Sequence, residues 1–464
     1  MSRQRARRRW PSRAGAAVCA APLLALLVPL TGCAPQSPPR DRFPDVQRML
    51  DARARAVRHR DTAALLATVD PRAATPYRAR QRRLIANLTA VPLTDWRYDL
   101  VSTDAFPLPA GGPHGRMAAK VRLSYRLKGY DTAPVTSLQY LTLTERGGRW
   151  RITSDTDGTP AGRPGTRQLW DQGPVRLVRG RHSLVLGGAT DPARLRDLAD
   201  RVDEAVPAVS DAWKSSWSAK VVVEAPDTVD QMAQLLGSGD SAGYMGIAAV
   251  TTGEAGASAT APADRVIVNP EAYEELNDLG RAVVLTHETA HVATRTVTTE
   301  ATPLWLSEGF ADWVAYRDIR RKAAITAPEL SRAVALGKTP DRLPTDEDFG
   351  FQAGADRLAK AYEGGWLACR MIADKWGEAK LIAFYRAAGR SGAETAAGRL
   401  GPPIEVLRAT HRPRAGHTPG SASAHDARRQ DRAERLDRAL RSQLGMGVAE
   451  FTQEWREYVE GQLR

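Results

Sequence analysis

Cysteine is scarce in this chain, whose 464 residues contain only Cys19, Cys33 and Cys369. Cys19 lies inside an N-terminal segment with the features of an export signal, and Cys33 lies where that segment ends. Cys369 lies alone in an apolar stretch, so after export it has no partner for an intrachain disulfide, even in an oxidising compartment. A disulfide framework is excluded, and the stability of the folded chain has to come from its core.

Long uninterrupted apolar runs are also absent. The most apolar stretch, residues 14–30, contains two prolines and is too short and broken for a permanent membrane span. Six arginines precede it and form the positive n-region of an export signal. The stretch ends in Leu-Thr-Gly-Cys, which resembles a bacterial lipobox cleaved before Cys33. We therefore predict a lipoprotein signal peptide over residues 1–32, with an ordinary cleaved secretory signal as the alternative.

A lipid on Cys33 would anchor the mature chain at the outer face of the cytoplasmic membrane of a bacterium. The predicted location is therefore extracytoplasmic, and the membrane is a predicted partner through this anchor. Residues 33–40 are rich in proline and form the predicted tether.

The net positive charge is a weak guide to binding partners, because much of it lies in the export signal. The net charge is +13, and removal of the six signal arginines lowers it to +7. A modest positive balance suits a surface near anionic lipid or wall polymer. Aromatic side chains do not alternate with basic ones as they do on a nucleic-acid-binding sheet, so we expect no nucleic-acid partner.

One stretch limits the chemistry more than any other. His287, Glu288 and His291 form the pattern H-E-x-x-H within residues 285–295. Positions i and i+4 lie on one face of an α-helix, so both imidazoles can reach a single metal ion. The apolar run before the motif is typical of a buried helix that carries its ligands on one face.

A second motif can supply a third ligand. Residues 303–313 read Pro-Leu-Trp-Leu-Ser-Glu-Gly-Phe-Ala-Asp-Trp, and Glu308 follows His291 by 17 positions, enough for a loop and a return to the metal. A catalytic zinc usually has three protein ligands and one open position, and Glu308 would be the third. Asp312 follows one helical turn later and can hold a ligand histidine in the required tautomer.

Together the two motifs resemble those of the gluzincin metallopeptidases, the group that includes thermolysin and the aminopeptidase-N-type enzymes. In that group H-E-x-x-H is followed by a glutamate in W-L-x-E-G. The resemblance implies Zn²⁺ on His287, His291 and Glu308, with Glu288 as the general base. The metzincins are excluded, because the glycine and histidine of their extended motif are replaced here by threonine and valine.

A third segment is similar to the Y-E-K-G segment of the aminopeptidase-N-type enzymes. Residues 361–366 read Ala-Tyr-Glu-Gly-Gly-Trp, so Tyr362 matches the tyrosine whose hydroxyl stabilises the tetrahedral intermediate in those enzymes. Gly364 stands where the family has lysine. The alternative for Tyr362 is simple packing at a helix start.

The family's G-x-M-E-N segment, which holds a free substrate amine, is missing from the sequence. This departure favours an endopeptidase over an aminopeptidase. Gly246–Val250 is a candidate for the sheet edge that would pair with an extended substrate, with an ordinary strand as the alternative.

The N-terminal half carries no catalytic constellation. Apolar residues at helical spacing predict a helix over Asp45–Asp70, and strand-like segments separated by glycine and proline follow from Trp96. Helices followed by an antiparallel sheet resemble the NTF2-like fold in pattern, and we predict an accessory domain here.

The predicted fold class is α+β: an NTF2-like α+β domain, then a gluzincin-type domain with a mixed sheet, a zinc helix and a mostly helical C-terminal part. The predicted segments are a signal peptide (1–32), a tether (33–40), an NTF2-like accessory domain (41–158), a linker (159–180) and a metallopeptidase domain (181–464) with a disordered insertion (402–431). The predicted function is zinc-dependent hydrolysis of peptide or protein substrates at the outer face of the cytoplasmic membrane. The alternative is a catalytically inactive envelope-binding lipoprotein on a peptidase scaffold. The sequence does not indicate the oligomeric state.

Mass spectrometry of the mature protein tests the predicted lipid anchor. We expect an N-terminal peptide that begins at Cys33 and carries the mass of a lipid modification. An unmodified N-terminus at any other residue would instead indicate an ordinary secretory signal.

Overall fold

The computed structural model describes residues 43–464, apart from 190, 239, 254–261, 351–353 and 391–420. The described residues form a mixed α and β fold with two sheets and many helices, which confirms the predicted combination of helices and sheets. The signal peptide, Cys33 and the tether lie outside the described residues. Within the described ranges, no helix is both long and apolar enough to cross a membrane.

The first sheet follows three helices and is a simple antiparallel meander. The helices are α1 (Pro44–Arg58), α2 (Thr62–Ala67) and α3 (Thr75–Asn87). The strands, in spatial order, are β1 (Leu93–Ser102), β2 (Arg116–Leu127), β3 (Val135–Arg146) and β4 (Arg149–Ser154). The single helix predicted over Asp45–Asp70 is wrong, because the chain turns at Arg60, which has a φ of 57°. Asp61 then caps α2 by accepting a hydrogen bond from the Ala64 amide. The NTF2-like assignment stays a prediction.

The second sheet has five strands in the order β5-β6-β7-β9-β8. Its elements are α4 (Leu169–Gln172), β5 (Arg176–Arg179), β6 (Ser183–Gly187), α5 (Pro192–Trp213), β7 (Val221–Ala225), α6 (Val229–Leu235), β8 (Ala249–Thr252) and β9 (Arg265–Val268). The central pairs β6–β7 and β7–β9 are parallel, and their strands are buried throughout and mostly apolar, as is typical of a sheet covered on both faces. The outer pairs are antiparallel, and β8 is an edge strand.

Helices make up the rest of the described chain. They are α7 (Pro270–Glu274), α8 (Asp278–Thr294), α9 (Leu304–Tyr316), α10 (Ala323–Thr326), α11 (Pro328–Ala335), α12 (Ala355–Trp376), α13 (Glu378–Ala388), α14 (Ser421–Leu444) and α15 (Val448–Leu463). Their core is aromatic: Trp213, Phe310 and Tyr385 contact one another with ring centroids 5.0–5.6 Å apart. Cys369 is buried in this core, and burial raises the pKa of its thiol well above its usual value, so it is an unreactive packing residue.

Two sequence-based boundaries need correction. Residues 159–180, predicted as a linker, are packed: they contain α4 and β5, and they bury Leu169 and Trp170 against the first sheet. A large aromatic side chain in an otherwise polar segment draws that segment onto the core. The predicted disordered insertion ends earlier than expected, because α14 begins at Ser421 and includes i,i+4 pairs such as Arg435 with Asp431. Residues 402–420 lie outside the described residues.

A buried ion pair joins the two sheets. Asp131, just after β2, accepts two hydrogen bonds from the Arg265 guanidinium of β9, at 2.8 and 2.9 Å. The same carboxylate accepts from the amides of Leu127 and Ala263, so both of its oxygens are satisfied. Glu224 approaches the guanidinium only to 3.9 Å, and burial raises its pKa. Asp131 is therefore the main counter-charge of a buried arginine.

Removal of Asp131 should destabilise the protein strongly. We expect Asp131→Ala to lower the free energy of unfolding by about 3–5 kcal/mol, because it leaves a buried guanidinium without its charge partner. The control is Arg48→Ala, which removes an exposed pair with Asp45 and should cost less than about 1 kcal/mol. Urea denaturation of the two variants measures both values, and equal effects would contradict a special role for the buried pair.

Candidate metal centre and active site

Helix α8 carries the H-E-x-x-H motif on one face. It begins after Asn277, whose side chain accepts a hydrogen bond from the Gly280 amide. The rings of His287 and His291 lie edge to face, with centroids 4.7 Å apart. The spacing of four residues therefore brings both imidazoles to one point, as predicted for a helix.

Glu308 of α9 reaches the same point. The Nε2 atoms of His287 and His291 are 3.0 Å apart, and Glu308 Oε2 lies 3.3 and 3.4 Å from them. In the part of the chain that the structure describes, this is the one group of three or more potential ligands whose donor atoms all lie within 4.8 Å. The structure thus brings together the three predicted ligands.

The two distances to Glu308 match those of a zinc site, and the 3.0 Å between the imidazole nitrogens is slightly shorter. Ligand atoms bound at about 2.0–2.1 Å in a tetrahedron are about 3.3–3.4 Å from one another. Two imidazoles and one carboxylate, all largely buried, are also the donor set of a catalytic zinc site with an open fourth position.

Asp312 orients the first histidine. His287 Nδ1 donates to Asp312 Oδ1 at 2.8 Å, which leaves the Nε2 lone pair directed at His291 and Glu308. Burial disfavours a charged imidazole, but the carboxylates of Asp312 and Glu308 dominate and raise the pKa of His287 well above its usual value. The carboxylates that raise this pKa would also attract a metal cation, which would bind His287 in place of the second ring proton.

The position of Glu308 depends on a close contact between two helices. A Cβ on Gly309 would lie 2.2 Å from the carbonyl oxygen of Gly365 on α12, so only glycine fits there. The amide of Leu304, at the start of α9, donates to Asp346 Oδ1 at 2.9 Å. Burial tends to raise the pKa of Glu308, but His291 and His287 hold it well below its usual range, so its carboxylate is charged.

Glu288 lies beside this group and is held from the edge strand. It is buried, and Thr251 Oγ1 of β8 donates to Glu288 Oε2 at 2.5 Å. The same hydroxyl also lies 3.2 Å from the Glu288 carbonyl oxygen. The candidate edge Gly246–Val250 overlaps β8 in only two residues, and the contact with Glu288 is made by Thr251 just beyond it.

Tyr362 lies near the ligands, within α12. Its ring is 6.4 Å from that of His287, and Phe349 packs edge-on against it at 5.2 Å. Burial, followed by the nearby carboxylates, Glu308 first, raises the pKa of its hydroxyl well above the usual value, so the group is a neutral donor. Gly364 makes room for Trp455 of α15, whose indole donates to the Gly364 carbonyl at 3.1 Å.

Several supporting residues were missed by the sequence analysis. Thr251, Asp346 and Phe349 come from distant segments whose placement depends on the fold. One sequence signal was available for Phe349. Thr345 and Asp348 have the spacing of a capping box, which predicts the short helical turn that contains Phe349. Asp264 of the loop before β9 was also missed; it pairs with Arg295 at 3.1 Å, and burial raises its pKa to about 7 while Arg295 opposes the shift.

The chain matches no protein-family profile and no curated protein. Among solved structures it resembles an M1 zinc metallopeptidase from Deinococcus radiodurans, with 18% identity over 69% of this chain and 58% of that one, and a TM-score of 0.29. It also resembles yeast LTA4 hydrolase in complex with bestatin, with 16% identity, 47% and 33% coverage, and a TM-score of 0.28. The chain thus spans from one third to under two thirds of their lengths. At these values the resemblances establish neither family nor activity.

The contact between α9 and α12 can be tested by adding one methyl group. A Cβ on Gly365 would lie 2.6 Å from the Trp305 carbonyl oxygen, so Gly365→Ala should lower the free energy of unfolding by about 1–3 kcal/mol through overpacking. The control is Gly461→Ala, whose Cβ meets no atom within 4 Å and which should gain up to about 1 kcal/mol of helix stability. Chemical denaturation measures both; a Gly365→Ala variant as stable as the control would contradict the tight crossing.

Proposed function

We propose that this protein is a zinc-dependent peptidase whose metal is held by His287, His291 and Glu308. The convergence of these three side chains, with ligand atoms 3.0, 3.3 and 3.4 Å apart, carries the proposal. When bound, zinc would supply Lewis-acid activation of water and of a carbonyl group. The hydrogen bond from His287 to Asp312 would keep the first ligand in its binding tautomer.

Glu288 is the residue that we assign as the general base. Thr251 donates to its Oε2, so Oε1 is the oxygen assigned to accept a proton from the attacking water. The same carboxyl group then passes the proton to the leaving amine, which completes the cleavage of the peptide bond.

Tyr362 is assigned to the carbonyl oxygen of the substrate. Its hydroxyl is kept neutral by burial and by the surrounding carboxylates, so it can donate as negative charge develops on that oxygen. Phe349 packs on the ring and limits its rotation, which keeps the donor oriented before the substrate binds.

More specifically, we assign this protein endopeptidase activity on extended segments of peptide or protein substrates. Within the described residues β8 pairs only with β9, so its outer edge is open for an incoming strand beside Glu288. The sequence has no G-x-M-E-N segment that would hold a free amine. With a lipid on Cys33, the substrates would be peptides or proteins at the outer face of the membrane.

Substitution of the base and of a ligand should have separable effects. We expect Glu288→Gln to retain zinc but lower kcat by about 10²–10⁴-fold, because only proton transfer is removed. His287→Ala should lose both the metal and turnover. The control is Glu275→Gln, an exposed glutamate near the start of α8, which should leave both unchanged.

Metal analysis together with digestion of a peptide library, with and without a chelator, measures these outcomes. Internal cleavage that is lost on chelation supports the proposed endopeptidase, and release of single N-terminal residues would contradict the finer assignment. Bound zinc without hydrolysis of any peptide would contradict the peptidase and favour a binding scaffold.

A further inference from the structure

Thr251 lies where the open edge of the second sheet meets the assigned base. Its side chain is on the face of β8 that packs against α8, since Oγ1 is 2.5 Å from Glu288 Oε2 and 3.2 Å from the Glu288 carbonyl oxygen. A hydroxyl has one proton to donate, and the nearer carboxylate oxygen is the stronger acceptor. Among the described residues, Thr251 is the one donor to this carboxylate.

The main chain of Thr251 faces the open edge of β8. Hydrogen-bonded and non-hydrogen-bonded pairs alternate along an antiparallel ladder. The Asn269 amide donates to the Ala248 carbonyl oxygen at 2.9 Å, so these two residues form a hydrogen-bonded pair. Thr251 follows three positions later, opposite Val266, and therefore belongs to a non-hydrogen-bonded pair. Its N–H and C=O thus point away from β9, towards the side that no described strand covers.

An extended substrate that pairs with this edge would also fix the side chain of Thr251. Before a substrate binds, β8 has a neighbouring strand on one side only, and the exposed Gly253 follows it, so its backbone is weakly constrained. Main-chain hydrogen bonds to a substrate would hold the backbone of Thr251 in place. Because a β-branched side chain has few χ1 alternatives once its backbone is fixed, Oγ1 is then held against Glu288.

We propose that Thr251 is a positioning residue that couples the binding of an extended substrate to the orientation of Glu288. The inference rests on the proposed peptidase function and adds a substrate preference to it: long, extended peptides are cleaved faster, and not only bound more tightly. Part of the binding energy of the paired main chain is used at the reacting bond, through the hydroxyl of Thr251. A peptide too short to pair with β8 leaves the carboxylate less well oriented.

The experiment is steady-state kinetics of the full mature chain, loaded with zinc, on a nested series of peptides. The series lengthens one sequence that the wild type cleaves, one residue at a time at both ends. We expect the wild-type kcat to rise with peptide length. Thr251→Val keeps the β-branched shape, and it should lower kcat for the long peptides by about 10–100-fold and remove the dependence of kcat on length. KM and zinc content should not change, because the lost hydrogen bond belongs to Glu288 and not to a ligand.

Two further variants separate the hydroxyl from other effects of the substitution. Thr251→Ser restores the donor and should recover most of the lost turnover. Thr252→Val is the matched control, because alternation places the Thr252 side chain on the opposite face of β8. Its hydroxyl accepts from the Arg265 amide, so the variant should keep the wild-type kcat. Thermal denaturation of all variants checks that each one is folded.

The outcomes distinguish this inference from the proposed function. If the wild type hydrolyses peptides but Thr251→Val retains its kcat, the coupling is overturned and the peptidase stands. A loss that appears in KM alone, or a folded Thr251→Ser variant as slow as Thr251→Val, overturns the coupling as well. If Thr251→Val does not fold, the wild type decides, because a kcat that does not depend on peptide length overturns it. A zinc-loaded wild type that cleaves no peptide overturns both.

Discussion

The distance between α9 and α12 is the constraint on which the site depends. Gly309 and Gly365 bring the two backbones into direct contact, closer than any side chain would permit. Glu308 lies next to the first glycine and Tyr362 lies one helical turn before the second, so the crossing fixes the third ligand and the assigned oxyanion donor relative to each other. Helix α8 then needs only its own i,i+4 spacing to present both imidazoles to Glu308.

Much of the site could be predicted from the sequence because its chemistry is local. H-E-x-x-H defines two donors on one helical face, and the residues between His291 and Glu308 leave enough chain for a turn and a second helix. Residues that act from far along the chain could not be found this way. Thr251 reaches Glu288 only because β8 is the sheet edge, and Phe349 meets Tyr362 only because its turn packs against α12.

The fold class could be predicted from the sequence, but the ends of its helices and segments could be predicted less well. Apolar periodicity identified helices and strands, but one predicted helix is two helices in the structure. The break depends on single residues, the turn at Arg60 and the cap at Asp61, which a periodic pattern does not reveal. Residues 159–180 have the composition of a linker, but Trp170 buries its ring against Trp96 at 5.5 Å and makes the segment part of the core. The ion pair of Asp131 with Arg265 then attaches the first sheet to the strand β9 of the second.

The absence of a side chain at Gly364 has a consequence for the helix α15, Val448–Leu463. Because that position has no side chain, the indole of Trp455 rests against the backbone of α12 less than one turn beyond Tyr362. Helix α15 therefore supports the segment of α12 that carries Tyr362. A truncation, affinity tag or fusion partner that disturbs residues 448–463 would therefore shift the assigned oxyanion donor, Tyr362. These residues lie more than 80 positions from Tyr362 in sequence.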